Sequence, residues 1–81
     1  MDLALAATVF MTIFVVELPD QTLLAIEVKG GTRPGHGDAA GLRLFLAEYG
    51  DAVRGALLLH GGTETFRLGD RILATPWWRV L

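Results

Sequence analysis

Cysteine is absent from all 81 residues, which excludes a disulfide framework and any thiolate metal centre. Such a chain suits a reducing compartment, so the expected location is cytoplasmic. Net charge is also small: seven Lys and Arg against nine Asp and Glu give a formal charge of −2. That balance provides no broad attraction to nucleic acid and leaves only local basic patches for such contacts. There is no glycine-rich loop ending in Lys-Ser or Lys-Thr, so the chain is not expected to hydrolyse ATP. Internal repeats, low-complexity tracts and linkers are missing too, which leaves one small domain over 1–81.

What the chain does have is apolar surface. Hydrophobic residues make up 52% of it, enough for a compact core, or for a core plus a face that docks on something else. Leu3 through Val16 carries no charged residue. Those 14 positions fall short of the ~20 that a spanning helix needs. Asp2 stands where a secretory signal would have basic residues. The segment reads as a buried N-terminal helix over 1–11 turning into a strand, with a membrane segment as the rival reading.

Asp2 can cap a short helix from Leu3 to about Val9. The β-favouring run Phe10 to Leu18 follows. Leu18-Pro19-Asp20-Gln21-Thr22 supplies turn chemistry, and Thr22 to Lys29 forms a second strand, completing a hairpin. Gly30 to Gly37 is a loop. Asp38 is placed to cap a helix whose Leu42, Phe45, Leu46 and Tyr49 share one stripe, with Arg43 and Glu48 off it in water. Gly50 ends that helix. Ala56 to Leu59 reads as a strand buried on both faces. Thr65–Leu68 and Ile72–Thr75 flank a Gly69-Asp70-Arg71 turn, Pro76 breaks the strand, and Trp77-Trp78 closes the core. A helix between two such strands makes a crossover, which favours parallel pairing and an α/β sheet.

The strand Leu23 to Lys29 carries the most distinctive chemistry. Side chains alternate, so Glu27 and Lys29 project from one face, and Ile26 and Val28 from the other. A carboxylate and an ammonium so spaced suit a metal-dependent phosphodiesterase, in which the acid holds a divalent cation and the lysine orients the attacking water. The plainer reading is an edge-strand ion pair. If Leu18 pairs with Thr22, Ile13, which cannot bind a cation, falls opposite Glu27. Asp20 belongs to the turn at the far end of the hairpin, and Glu17 is offset by several residues. Mg²⁺ enters only if the nuclease reading holds, and Glu27 alone is a poor ligand set for it. His36 and His60 read as loop or surface histidines, Arg33 as a solvated arginine, and Asp70 as a turn residue.

The phrases Leu24-Ala25-Ile26-Glu27-Val28-Lys29, Gly41-Leu42-Arg43-Leu44-Phe45-Leu46, Gly55-Ala56-Leu57-Leu58-Leu59-His60 and Leu68-Gly69-Asp70-Arg71-Ile72-Leu73-Ala74-Thr75-Pro76-Trp77-Trp78 resemble, in that order, the C-terminal module of prokaryotic AAA-type ATPases. That domain of unknown function is related to the PD-(D/E)xK nucleases. The resemblance covers roughly 12–81. It implies a truncated restriction-endonuclease-like core: short N-terminal helix, β-hairpin, crossover helix, buried strand and small C-terminal hairpin. It also implies a non-catalytic accessory or interaction domain, with Glu27 and Lys29 as a vestigial catalytic pair and Glu27 as the remaining metal ligand. The expected partner is a preceding ATPase domain, or a second copy met through the apolar N-terminus. The enzymatic alternative is a metal-dependent nuclease that recruits Glu17 or Asp20 as a second acid.

A second resemblance covers the first 25 residues. Phe14-Val15-Val16-Glu17-Leu18-Pro19-Asp20-Gln21-Thr22 is similar to the E-x-G-D-[KR]-[TS] motif in the first membrane helix of a small bacterial cation transporter family. Gln21 stands where that family has a basic residue, and the second motif copy and further spanning helices are missing. On this resemblance the chain would be a membrane-associated fragment.

Overall fold

A computed structural model describes residues 13–80 of the chain. The predicted helix over 1–11, its Asp2 cap and the start of the first strand lie outside the described residues.

Strand β1 (Ile13–Glu17) and strand β2 (Leu23–Val28) form an antiparallel hairpin. Pro19 and Asp20 bend the chain, and Gln21 takes a φ of +72°. The Gln21 and Leu18 amides donate to the carbonyls of Leu18 and Thr22, each at 2.8 Å. One Asp20 carboxylate oxygen accepts from the Thr22 amide at 3.0 Å and from its hydroxyl at 2.5 Å. This side-chain-locked turn corrects the transporter reading, which required Phe14 to Thr22 to lie within one helix. No helix among the described residues is long and apolar enough to cross a membrane.

After the glycine-rich loop a 3₁₀ turn, His36–Ala39, leads into helix α1 (Ala40–Tyr49). Asp38 does not cap α1 directly. Its carboxylate reaches back to accept the Gly35 amide at 2.8 Å, so the cap serves the 3₁₀ turn. Leu42, Phe45 and Leu46 are buried as the spacing predicts, while Tyr49 stays half-exposed and stacks on Phe45 with ring centroids 4.6 Å apart. Arg43 is partly buried rather than solvated, because its guanidinium folds back onto the His36 carbonyl. Gly50, at φ +53°, donates its amide to the Leu46 carbonyl and ends the helix.

Strand β3 (Val53–His60) then runs parallel to β2, as the crossover requires. Its pairing starts earlier than the apolar run alone indicates, because Gly55 lies within the ladder with Leu24 as its partner. Strand β4 (Phe66–Gly69) and strand β5 (Ile72–Pro76) form the second hairpin. β5 pairs parallel with β3, giving the order β1-β2-β3-β5-β4. The fold is a small α/β fold: a mixed five-stranded sheet with three parallel central strands and an antiparallel strand at each edge.

Helix α1 covers one face of this sheet. Ala25, Ala56, Leu58, Ile72 and Ala74 form the floor beneath Leu42, Phe45 and Leu46. The alanines matter here, since small side chains let the helix settle close to the strands. Pro76 is the last residue of β5, buried opposite His60, rather than a breaker beyond it. Trp77 and Trp78 do not close the core. They form a surface 3₁₀ turn, 49% and 45% exposed, with their rings edge-on at 5.8 Å.

Candidate functional site

Glu27 and Lys29 point to the helix-covered side of the sheet, as strand alternation requires. β2 is flanked by β1 and β3, so the pair sits on an interior strand and not on an edge. Glu27 is only 1% exposed. Its Oε2 lies 3.2 Å from the Lys29 ammonium, while Oε1 is buried and has no hydrogen-bond partner. Lys29 reaches solvent and fixes its backbone by donating its amide to the Leu59 carbonyl at 2.8 Å.

The register decides what this pair can do. Ile13 is the direct β1 partner of Glu27, and Glu17 pairs with Leu23 four rungs away. At ~3.3 Å per residue, Glu17 and Glu27 are on the order of 13 Å apart along the strands. Asp20 is farther still, and its other carboxylate oxygen accepts from Arg54 at 3.1 Å. Mg²⁺ is held through one or two carboxylates together with water and substrate oxygens. Here one carboxylate oxygen is buried without a hydrogen-bond partner, and no group of three His, Asp or Glu side chains converges among the described residues. Among the described residues, Glu27 therefore has no second carboxylate beside it with which to share a cation.

The remaining sequence candidates separate. His60 is buried at the end of β3, not on the surface. Its Nδ1 accepts the Gly62 amide at 2.9 Å, so Nε2 carries the proton and donates to the Glu64 carbonyl at 2.9 Å. Both nitrogens are thereby committed to holding the β3–β4 loop. Gly62 is equally constrained: a Cβ there would lie 1.8 Å from the Thr32 carbonyl oxygen. Arg33 pairs with Glu64 and lies over the Phe66 ring, 5.0 Å from its centroid. Asp70 is an exposed turn residue beside Arg71, whose φ is +63°. His36 is exposed, its carbonyl held by Arg43.

A feature that motif reasoning missed is the opposite face of the sheet. Cross-strand partners share a face, so Phe14 and Ile26, Val16 and Leu24, Ile26 and Leu57, and Leu57 and Leu73 form one continuous apolar surface. Phe14 and Val28 are each 55% exposed, and Val16 and Leu73 are also open. No helix among the described residues covers it. The signal was present in β2, where both alternating sets are apolar apart from Glu27 and Lys29, yet only one amphipathic helix follows.

Comparison with known protein families, with curated proteins and with solved structures finds no match for this chain.

Proposed function

We propose that this chain is a non-catalytic interaction module of the kind that ends prokaryotic AAA-type ATPases, and that it works by docking through the open face of its sheet. The observation that carries this reading is the continuous apolar surface of Phe14, Val16, Ile26, Val28, Leu57 and Leu73, opposite the face packed by α1. A contiguous apolar face on so small a domain is a recurrent mark of an interaction surface. The order of the strands, with Glu27 on the second and Lys29 just past its end, is compatible with a restriction-endonuclease-like ancestry. Ile13 opposite Glu27 favours docking over metal-dependent cleavage.

Binding of 1-anilinonaphthalene-8-sulfonate tests the reading. The native chain is expected to enhance the dye's fluorescence, and Phe14→Ser with Val28→Ser to abolish most of that enhancement. Leu44→Ser, at a position on α1 that is 72% exposed, should leave it unchanged. Equal enhancement by the native chain and the double variant refutes docking through this face.

A further inference from the structure

The open face is not uniformly apolar. Toward the start of the parallel strands it sinks into a shallow hollow of about 280 Å³, with Leu24, Gly55 and Leu57 among its lining and Arg54, Arg67 and Arg71 around it. The hollow exists because Gly55 has no side chain to fill it, and the nearest neighbour a Cβ would meet is the Arg71 carbonyl at 3.6 Å. The three guanidinium groups are held differently. Arg71 donates to the carbonyls of Val53 and Gly50, at 2.7 and 3.1 Å, which anchors its side chain over the β2–β3 end of the sheet. Arg54 pairs with Asp20, and Arg71 has Asp70 at 3.9 Å. Arg67 has no acidic partner within 4.0 Å among the described residues. An acidic chain thus gathers three cations at one end of its exposed apolar face.

We propose that this face seats an amphipathic helix of a partner polypeptide, its apolar stripe on Ile26, Leu57 and Leu73 and its carboxylates against Arg54, Arg67 and Arg71. The inference rests on the docking role of the face and adds the chemistry of what docks. Three adjacent strands at ~4.8 Å spacing span roughly the ~10 Å diameter of a helix. The apolar groups lie on the face and not along an edge, so strand addition would leave them uncovered. Unlike charges at one end fix the direction in which the helix lies and reject partners with a basic tip.

The test uses the full chain and two synthetic 15-residue helical peptides, each with leucines at i, i+3, i+4 and i+7. One carries three glutamates in its first turn and the other three lysines. Fluorescence anisotropy at low salt is expected to show the glutamate peptide binding about tenfold more tightly, a difference that shrinks at high salt. Arg67→Glu, at an exposed position, is expected to weaken the glutamate peptide about fivefold or more, with the circular dichroism of the chain unchanged. Equal binding of both peptides, or no effect of Arg67→Glu, overturns the acid-tipped helix but leaves docking through the face intact. If neither peptide binds, the acid-tipped helix is overturned, and the dye comparison of the native chain with Phe14→Ser and Val28→Ser decides whether docking through the face falls with it. Self-association of the chain that displaces the glutamate peptide makes a second copy the occupant and overturns this one.

Discussion

Ile13 and Glu27 are direct partners in the β1–β2 ladder. The pairing puts a hydrocarbon branch beside a buried carboxylate whose Oε1 has no partner and whose Oε2 leans on Lys29. An acid at position 13 would make the neighbourhood a two-carboxylate cation site; an isoleucine leaves an ion pair whose carboxylate is buried and whose ammonium is a third exposed. Ile13→Asp is therefore expected to tighten Mn²⁺ binding about tenfold or more over the native chain, because a second carboxylate then faces the first. Calorimetric titration with Mn²⁺ checks this, and equal binding by both chains contradicts the assignment.

A pair with one buried member is more sensitive to the loss of its exposed partner than to the loss of both. Lys29→Met is expected to destabilise the chain by about 1–2 kcal/mol, since the buried Glu27 carboxyl then loses its only polar partner and the ammonium lost was itself partly solvated. Glu27→Leu combined with Lys29→Met should recover most of that loss. Urea denaturation of the two variants provides the comparison. A double variant no more stable than Lys29→Met would mean that the ion pair contributes more than its desolvation costs.

Gly62 lies where the β3–β4 loop passes against the loop after β2. Gly62→Ala would set a Cβ 1.8 Å from the Thr32 carbonyl oxygen, and a backbone oxygen cannot simply rotate away. The expected cost is about 3 kcal/mol, on the scale of overpacking at a tight site. Gly61→Ala meets the Gly31 carbonyl oxygen only at 3.6 Å and is expected to be nearly neutral. Thermal melts of the two variants separate these outcomes.

At the β1–β2 turn, the Thr22 hydroxyl and amide hold the Asp20 carboxyl below its ordinary value of about 3.8, with Arg54 adding to the effect. A carboxylate depressed in the folded state contributes stability that is fully present above its unfolded value. That contribution is lost as pH falls through the folded one. Thr22→Ala should move the Asp20 titration back toward the ordinary value and flatten the acid limb of stability below about pH 3.8. Carboxyl-carbon NMR titration tests it directly.

Much of the fold is legible in the chain. The β1–β2 turn follows from Pro19 and Asp20, the register that sets Ile13 opposite Glu27 follows from pairing Leu18 with Thr22, and the crossover follows from the Leu42, Phe45 and Leu46 stripe. What local patterns do not reveal is tertiary. His60 looks like a loop histidine because nothing nearby in sequence announces that Gly62 and Glu64 will satisfy both its nitrogens. Trp77 and Trp78 look like core residues because size and hydropathy say so, yet Pro76 closes β5 and turns them outward. The open face goes unnoticed for the opposite reason: Phe14, Ile26 and Leu57 each look like ordinary core residues until helix α1 is seen to pack on the other side. At the candidate site, the shared face of Glu27 and Lys29 is legible from alternation, whereas their interior position depends on which strands pair.

Selective ¹³C labelling of methyl groups, followed during titration of the full chain with 1-anilinonaphthalene-8-sulfonate, tests the docking account most directly, since methyls on the two sides of the sheet report separately. The account predicts shifts concentrated at Ile26, Val28, Leu57 and Leu73, with Leu42, Leu46 and Leu58 unmoved. Shifts centred on the methyls beneath α1, or no site-specific change at all, would contradict it.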